Sequence, residues 1–522
     1  MLWTDKAVKI LKKYFDFSDL KEKQIDVINE LLLGNDVIGL LPTGYGKSMC
    51  YILPPLLTKK TIFIISPLIS LMDDQKDKLQ KLGIPVCALH CNNLNKQNEI
   101  NKIIDGNIKI VYMSPEYLIE GDGFELATQL INNNQLGFLA IDESHCLSSW
   151  GHDFRPQYLK LQKFRELFPQ IPILAVTATA KNQVVKEIIA FLKLTKPKIV
   201  KANFDRPNLY LKCIEIPKDQ IVTGKRVIKI KEIPIKNDII IREYVEKYPN
   251  DRIIVYVNSR DNTEEISKDL NKWKKCSSPY HAGLNKNIRE QIQSDFIEGN
   301  IKVIVSTIAF GMGIDQIVRC VLIFGCPSSI EEYYQQIGRG GRDGLQSETV
   351  LYFDKGAYMK SKRMISFKSR NKDIENKKLD NLHKVYNFFD TKICRRHFIL
   401  EYFGIADNYF LYTGFTCSNC DNCCNKNLID FTKEYYNHYI NNKKLSNELK
   451  SYIDKFKINN LLNDWKFFIQ FKKYELKDIP EHLKIKLPIN IDTDIEKTDS
   501  PKVDSENIYD TCTKIYDNLQ IK

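Results

Sequence analysis

Asp36-Val-Ile-Gly-Leu-Leu41-Pro-Thr-Gly-Tyr-Gly-Lys-Ser48 opens as an apolar strand and passes through a glycine-bearing loop into a helical stretch. A phosphate-cradling loop requires that succession. Gly44 and Gly46 let the backbone wrap closely, so its N–H groups can face an anion. Lys47 stands where a cation can neutralise β- and γ-phosphates, and Ser48 where a hydroxyl can ligate Mg2+. Thr43 lies in the same loop. The strict pattern begins with glycine, whereas Leu41 occupies that place here. In isolation the loop also admits the reading of an ordinary turn, as the lesser alternative.

The surroundings decide between those readings. From about 35 to 200, apolar runs alternate with amphipathic helical stretches, with strands expected at Asp36–Leu41, Thr61–Ser66, Lys109–Ser114, Gly137–Ile141 and Ile173–Thr177. Such alternation predicts a parallel sheet with helices on both faces. It restarts at Arg252–Val257 and Lys302–Thr307 and continues through Cys320–Phe324 and Thr349–Phe353, so two α/β layers stand in tandem. Glu215–Lys236 between them reads as a linker or small excursion. After Phe353 the chain turns helical and basic, with Lys360, Lys362, Arg363, Lys368, Arg370 and Lys372. Tyr435–Lys473 reads as helical and the acidic Ile491–Asp510 as disordered. The expected domains are 1–205, 206–372, 373–427 and a poorly defined 428–522.

The chain has 522 residues, 43% of them hydrophobic, enough for several cores. Its net charge of +12 fits a polyanionic partner, and fits a lysine-rich background equally well. No apolar run reaches the roughly 18–20 residues that span a bilayer. The N-terminal MLWTDKAVKILKKYF reads as an amphipathic helix without a signal peptide's apolar core. A soluble, intracellular protein is expected, without membrane partners. Of 14 cysteines, Cys50, Cys87, Cys213 and Cys276 are scattered and expected to be reduced; those near 417–424 cluster.

Asp142 and Glu143 end another apolar strand. Asp142 there can hold Mg2+ through its water shell, and Glu143 can orient an attacking water. The same segment runs on to Trp150, His152, Phe154 and Arg155, closely spaced rings and a guanidinium suited to stacking on single-stranded bases. The bland alternative is that both rings pack beneath a surface loop. The second layer adds Arg339 and Arg342 in Tyr333-Tyr-Gln-Gln-Ile-Gly-Arg-Gly-Gly-Arg342, on one face if that segment is helical. Arginines poised toward a γ-phosphate stabilise transition-state charge. ATP would then bind between the layers.

Together these segments resemble the RecQ group of superfamily 2 helicases over roughly residues 10–425. Pro42–Ser48 resembles motif I, Ser66–Gln75 motif Ia, Asp142–His145 the DExH box and Thr177–Thr179 motif III. Asn203–Asn208 resembles the segment joining two RecA-like lobes, Tyr256–Arg260 motif IV, Ser306–Asp315 motif V and Gln335–Gly344 motif VI. The resemblance implies that Gln24 reads adenine and that Asp315 borders the nucleotide. It implies that the Trp150 loop senses single-stranded DNA, and that ATP hydrolysis drives 3′→5′ movement and duplex unwinding by a monomeric motor. Its departures are Leu20-Lys21 for Phe-Arg before Gln24, Tyr45 for glycine, and Gln336 for glutamate. A DExH-type RNA helicase is the alternative, and a scaffold with vestigial ATPase activity a more distant one. The compartment would be nuclear in a eukaryote and cytoplasmic in a prokaryote or virus. Residues 426–522 look too short for a winged helix and an HRDC domain together.

Cys417-Ser-Asn-Cys420-Asp-Asn-Cys423 supplies three thiolates, and Cys394 is the fourth-ligand candidate for a structural zinc. The RecQ zinc-binding module has this layout. His397 is a weaker fourth ligand, expected on the helix surface, and Cys424 is an extra thiol. An iron–sulfur cluster is the rival metal reading.

Overall fold

The computed structural model describes residues 3–424 apart from 91–95, 149–154, 179–180, 217–220, 224–225, 229–236, 308–309, 311–315, 369–371 and 405–416. Trp150, His152, Phe154, Thr179, Asp315, the Tyr435–Lys473 helix and the acidic Ile491–Asp510 stretch all lie outside the described residues. The chain divides into two compact units. One is Met1–Asp390 with Phe398–Ala406; the other is Thr391–His397 with Asp407–Lys522, which holds the cysteine segment.

Both sheets belong to the first unit. The first is built from β1 (Val37–Leu40), β2 (Thr61–Ile65), β3 (Val86–Leu89), β4 (Ile110–Met113), β5 (Leu136–Ile141), β6 (Ile173–Thr177) and β7 (Lys198–Lys201). They pair in parallel in the order β3-β4-β2-β5-β6-β1-β7. Every residue of β1, β2, β3, β4 and β6 is buried. A sheet covered on both faces needs apolar side chains at successive positions, which is why β1, β2, β4 and β6 read as apolar runs, whereas the edge strand β3 is not among the expected strands. Val27 and Leu31 of the helix Glu22–Leu32, with Tyr51 and Ile52 of the helix Met49–Thr58, pack onto Val37, Ile62 and Ile64.

The second sheet begins with β8 (Leu209–Glu215), after which a small antiparallel hairpin, β9 (Ile221–Thr223) with β10 (Arg226–Ile228), falls in the segment read as a linker or excursion. Its other strands are β11 (Arg252–Tyr256), β12 (Ser277–Tyr280), β13 (Val303–Ser306), β14 (Val318–Gly325) and β15 (Ser347–Phe353). All pair in parallel in the order β12-β13-β11-β14-β15-β8. The basic stretch beyond forms the helices Lys355–Lys368 and Lys372–Asp390.

Parallel sheets present their ligand-binding residues beyond the carboxyl ends of the strands. Leu40 pairs with Thr177 and Ile141 with Ala175, so β5, β6 and β1 end side by side. The phosphate-type loop and the acidic pair therefore emerge at one edge, with β6 between their strands. In the second sheet, β14 leads to the helix Ile330–Ile337, whose Ser329 side chain caps the Glu332 N–H at 3.1 Å. The condition placed on the two arginines, that their segment be helical, is not met. The helix stops at Ile337, and Arg339 and Arg342 lie in the turn beyond it. Gly338, Gly340 and Gly341 break the helix; Gly341 has φ +55°, and a β-carbon there would lie 2.4 Å from Asn208 Nδ2.

Candidate active site

The loop Pro42–Ser48 has the conformation its glycines foretell: Gly44 has φ +81° and Gly46 φ +86°, the left-handed region that side chains resist. Gln24 braces it from the preceding helix. Its Oε1 accepts from the Lys21 N–H at 2.8 Å, and its Nε2 donates to the carbonyls of Gly46 at 2.9 Å and Tyr45 at 3.2 Å. Lys21 donates to the Gly44 carbonyl at 3.3 Å and lies 4.8 Å above the Tyr45 ring. Two of the departures noted above thus pair with each other.

Lys47 Nζ stands 3.4 Å from Glu143 Oε1. Glu143 Oε2 lies 3.3 Å from His145 Nδ1, which in turn is 3.0 Å from Thr177 Oγ1. A continuous polar path therefore joins the phosphate-type lysine to the end of β6. Glu143 holds its place with φ +47° and ψ +46°, a left-handed conformation that costs a non-glycine residue about 1–2 kcal/mol. Such strain persists only where surrounding contacts hold it, and is common at functional sites. Burial first, and the neighbouring Glu143 second, push the Asp142 carboxyl up to about 6. The Glu143 N–H donates back to Asp142 Oδ1 at 2.9 Å.

Tyr51 fills the space between the two candidate Mg2+ ligands. Its hydroxyl lies 3.1 Å from both Asp142 Oδ2 and Ser48 Oγ, donating to the carboxylate and free to accept from the serine. The spacing Ser48 to Tyr51, one helical turn, was the available signal for this residue.

The second sheet delivers its arginines to the same cleft. A β-carbon on Gly44 would stand 3.6 Å from both Arg342 Cγ and Arg206 Nη1, and one on Gly338 would stand 3.1 Å from Thr43 Cβ. Arg206 bridges the two sides: Nη1 donates to the Thr43 carbonyl at 3.4 Å, and Nη2 to the carbonyls of Gly340 at 2.8 Å and Gly341 at 2.9 Å. Nothing local marks it, because its role arises only when the sheets meet. Burial pulls the Arg339 guanidinium down to about 10, with Tyr256 and Glu143 opposing that pull. Arg339 Nε is enclosed and meets no acceptor among the described residues, so the cleft fits an anionic ligand. Arg155, expected at the strand contact, donates through Nη1 to the Pro67 carbonyl at 2.5 Å.

In the second unit the sulfurs of Cys394, Cys417, Cys420 and Cys423 all lie within 4.8 Å of one another. Four thiolates at about 2.3 Å from one ion form a tetrahedral site of soft donors, which fits Zn2+. Backbone N–H groups of Asn419 and His397 donate to Cys417 and Cys394 sulfurs at 3.4 and 3.5 Å. Arg395 pairs with Asp421 at 2.5 Å, and Asn422 donates to the carbonyls of Thr391 and Ile393, fixing the loop against the helix start. His397 is 1% exposed, not the surface residue expected, and stands outside the sulfur group. Its place on the helix turn after Cys394 points it inward.

Residues 21–188 match the DEAD/DEAH box helicase family, 235–344 the helicase conserved C-terminal domain and 357–424 the RecQ zinc-binding family. The chain is 37% identical over 428 residues to a protein of Acanthamoeba polyphaga mimivirus, provisionally named an ATP-dependent RNA helicase, covering 81% of this chain and 73% of that one. It is also 37% identical over 422 residues to the ATP-dependent DNA helicase RecQ of Haemophilus influenzae, covering 80% of this chain and 63% of that one. Thus it spans less than two thirds of that RecQ's length. Among solved structures, the Mycobacterium smegmatis helicase Lhr bound to single-stranded DNA and AMP-PNP has a TM-score of 0.54 at 19% identity, covering 70% of this chain and 49% of that one. The DUF1998 helicase MrfA bound to DNA has 0.55 at 19%, covering 73% and 50%. Two parallel sheets meeting at a phosphate loop, with these matches, place the chain in the class of ATP-dependent helicases. Its cysteine centre belongs to a zinc-binding domain. The chain belongs to the RecQ family of DExH-box helicases. Among the described residues no helix is long and apolar enough to cross a membrane.

Proposed function

We propose that the chain is a monomeric motor that moves 3′→5′ along single-stranded DNA and unwinds duplex DNA at the expense of ATP. ATP occupies the cleft between the sheets, with Lys47 and the loop N–H groups on its phosphates. Ser48 and Asp142 hold Mg2+, which neutralises phosphate charge. Glu143 orients water, and Arg339 and Arg342 offset the charge that develops as the γ-phosphate leaves. Gln24 and, outside the described residues, Asp315 border the nucleotide; Trp150, His152 and Phe154 with Arg155 form the strand contact. The lobes are 1–205 and 206–372, followed by the zinc module 373–427 and a tail, 428–522.

The observation that carries this reading is the approach of Arg342 and Arg206 to Gly44 across the cleft. A site assembled from two lobes can convert hydrolysis into relative movement. DNA is favoured over RNA by the zinc-binding match and by relatives named DNA helicases; the name of the mimivirus relative favours RNA. ATP turnover with single-stranded DNA, RNA or no polymer separates the readings. Wild type should be stimulated most by DNA, Lys47→Ala should be inactive, and Trp150→Ala should keep basal turnover while losing stimulation. Stronger stimulation by RNA would favour the second reading, and unstimulated turnover in wild type would sink the motor.

A further inference from the structure

Away from the nucleotide cleft, a buried ion pair joins the two lobes. Lys181 Nζ lies 2.7 Å from Glu331 Oε1, and the Tyr402 hydroxyl donates to Glu331 Oε2 at 2.7 Å. The Lys181 ammonium also sits 4.3 Å above the Tyr402 ring. Glu331 is 2% exposed, and 15% of the Lys181 side chain is exposed. Lys181 immediately precedes the helix Asn182–Phe191 of the first lobe, four residues beyond the end of β6. Glu331 lies in the first turn of Ile330–Ile337, the helix that delivers Arg339 and Arg342. Tyr402 ends the helix Arg395–Tyr402.

The same region is tied together by rings. The Tyr334 hydroxyl donates to the Phe204 carbonyl at 2.7 Å. The rings of Phe204, Tyr334 and Phe403 lie 4.9–6.0 Å apart. Lys201, on edge strand β7, donates to the carbonyls of Phe403 and Gly404, each at 3.1 Å. One helix end is thereby held by both lobes.

We infer that Lys181, Glu331 and Tyr402 form a latch made only when the lobes close, and that Lys181 is a positioning residue for the arginines of the cleft. A buried carboxylate left without its cation is strongly unfavourable, whereas one exposed to water is not. Parting the lobes would hydrate both charges; closing them without Lys181 would strand Glu331. The pair therefore makes closure selective for the arrangement in which the helix leading to the Arg339–Arg342 turn is in register with β6. Burial pulls the Lys181 pKa down while Glu331 opposes it, consistent with an ammonium enclosed by its partner.

This deepens the cleft reading and rests on it. The test compares Lys181→Met, Glu331→Gln, the double variant and Tyr402→Phe with wild type. It measures KM and kcat for ATP with single-stranded DNA, and hydrogen exchange of Asn182–Phe191 and Ile330–Ile337 with and without AMP-PNP. Lys181→Met should lower kcat/KM at least tenfold, mostly through KM, and lose the AMP-PNP-induced protection of both helices. The double variant should recover most of that loss, because the neutral amide that replaces the Glu331 carboxylate needs no cation; additive damage would instead indicate independent structural roles. Tyr402→Phe, which keeps the ring, should lose about threefold and serves if Lys181→Met unfolds. Wild-type kcat/KM and protection in Lys181→Met, or in Tyr402→Phe should the former not fold, would overturn the latch. Lys47→Ala runs alongside: its inactivity keeps the cleft reading whatever the latch variants do, and its full activity removes that reading.

Discussion

Gln24 and Gly46 stand in such close contact that a β-carbon on Gly46 would lie 2.6 Å from Gln24 Nε2. The residue expected to read adenine is also a wall of the phosphate loop. Gly46→Ala must displace the Gln24 amide and adopt φ +86°, at a conformational cost of about 1–2 kcal/mol. ATP affinity should fall at least tenfold by fluorescent-nucleotide titration while the melting temperature moves little. Unchanged affinity would show that Gln24 yields freely.

Glu143→Gln separates binding from chemistry. The variant loses the carboxylate that pairs with Lys47 at 3.4 Å, leaving the ammonium freer for phosphate. Turnover should fall about 10²–10⁴-fold, as for loss of a general base. ATP affinity should hold or rise. A parallel loss of affinity would place Glu143 in binding instead.

Tyr51→Phe removes one hydroxyl from between Ser48 and Asp142 and almost no volume. Groups that orient metal ligands typically contribute 10–100-fold to metal affinity. Mn2+ titrated in the presence of ADP, followed by electron paramagnetic resonance, should bind about tenfold more weakly. Equal binding would reduce Tyr51 to core packing.

Arg206→Lys tests the bridge between Thr43 and Gly340–Gly341. A lysine offers a point charge and cannot span carbonyls on both sides as a planar fork does. Losing charged hydrogen bonds of about 1.5–3 kcal/mol each should lower kcat/KM for ATP at least tenfold. Wild-type kinetics in this variant would make the bridge incidental.

The cysteine centre predicts metal content. Purified protein should contain one zinc per chain by elemental analysis and be colourless. Cys424→Ser and His397→Asn should retain the metal, whereas Cys394→Ser should lose it along with much of the module's stability. A brown protein, or retention in Cys394→Ser, would contradict four-thiolate zinc.

The sequence was most legible where a strand is buried on both faces. Ile62–Ile65 and Ile173–Val176 can be read without a structure because a covered parallel strand tolerates little else. Edge strands were not: β7 is Lys-Ile-Val-Lys, and β12 contains Pro279 among serines. An edge has one free side, so propensity and apolarity relax there. The candidate catalytic side chains could be picked out because phosphate chemistry restricts residue type at fixed spacing. Arg206, Lys181 and Glu331 could not, because their meaning depends on which helix of one lobe meets which loop of the other. The glycine run after Ile337 carried the warning that Arg339 and Arg342 leave the helix, and periodicity alone passed over it.

The placement of β8 has a consequence for how this protein is made. β8 is the first strand of the second sheet to be synthesised, yet among the described residues its neighbour there is β15 alone, paired from Ser347↔Leu209 to Phe353↔Glu215. As the chain leaves the ribosome, Leu209–Glu215 must wait through more than a hundred residues before its hydrogen-bonding partner exists. Contacts so distant in sequence form slowly, and an unpaired strand edge invites association with other chains. The second sheet is therefore completed last by β15, and a nascent chain arrested before Ser347 would leave the Leu209–Glu215 edge without that partner.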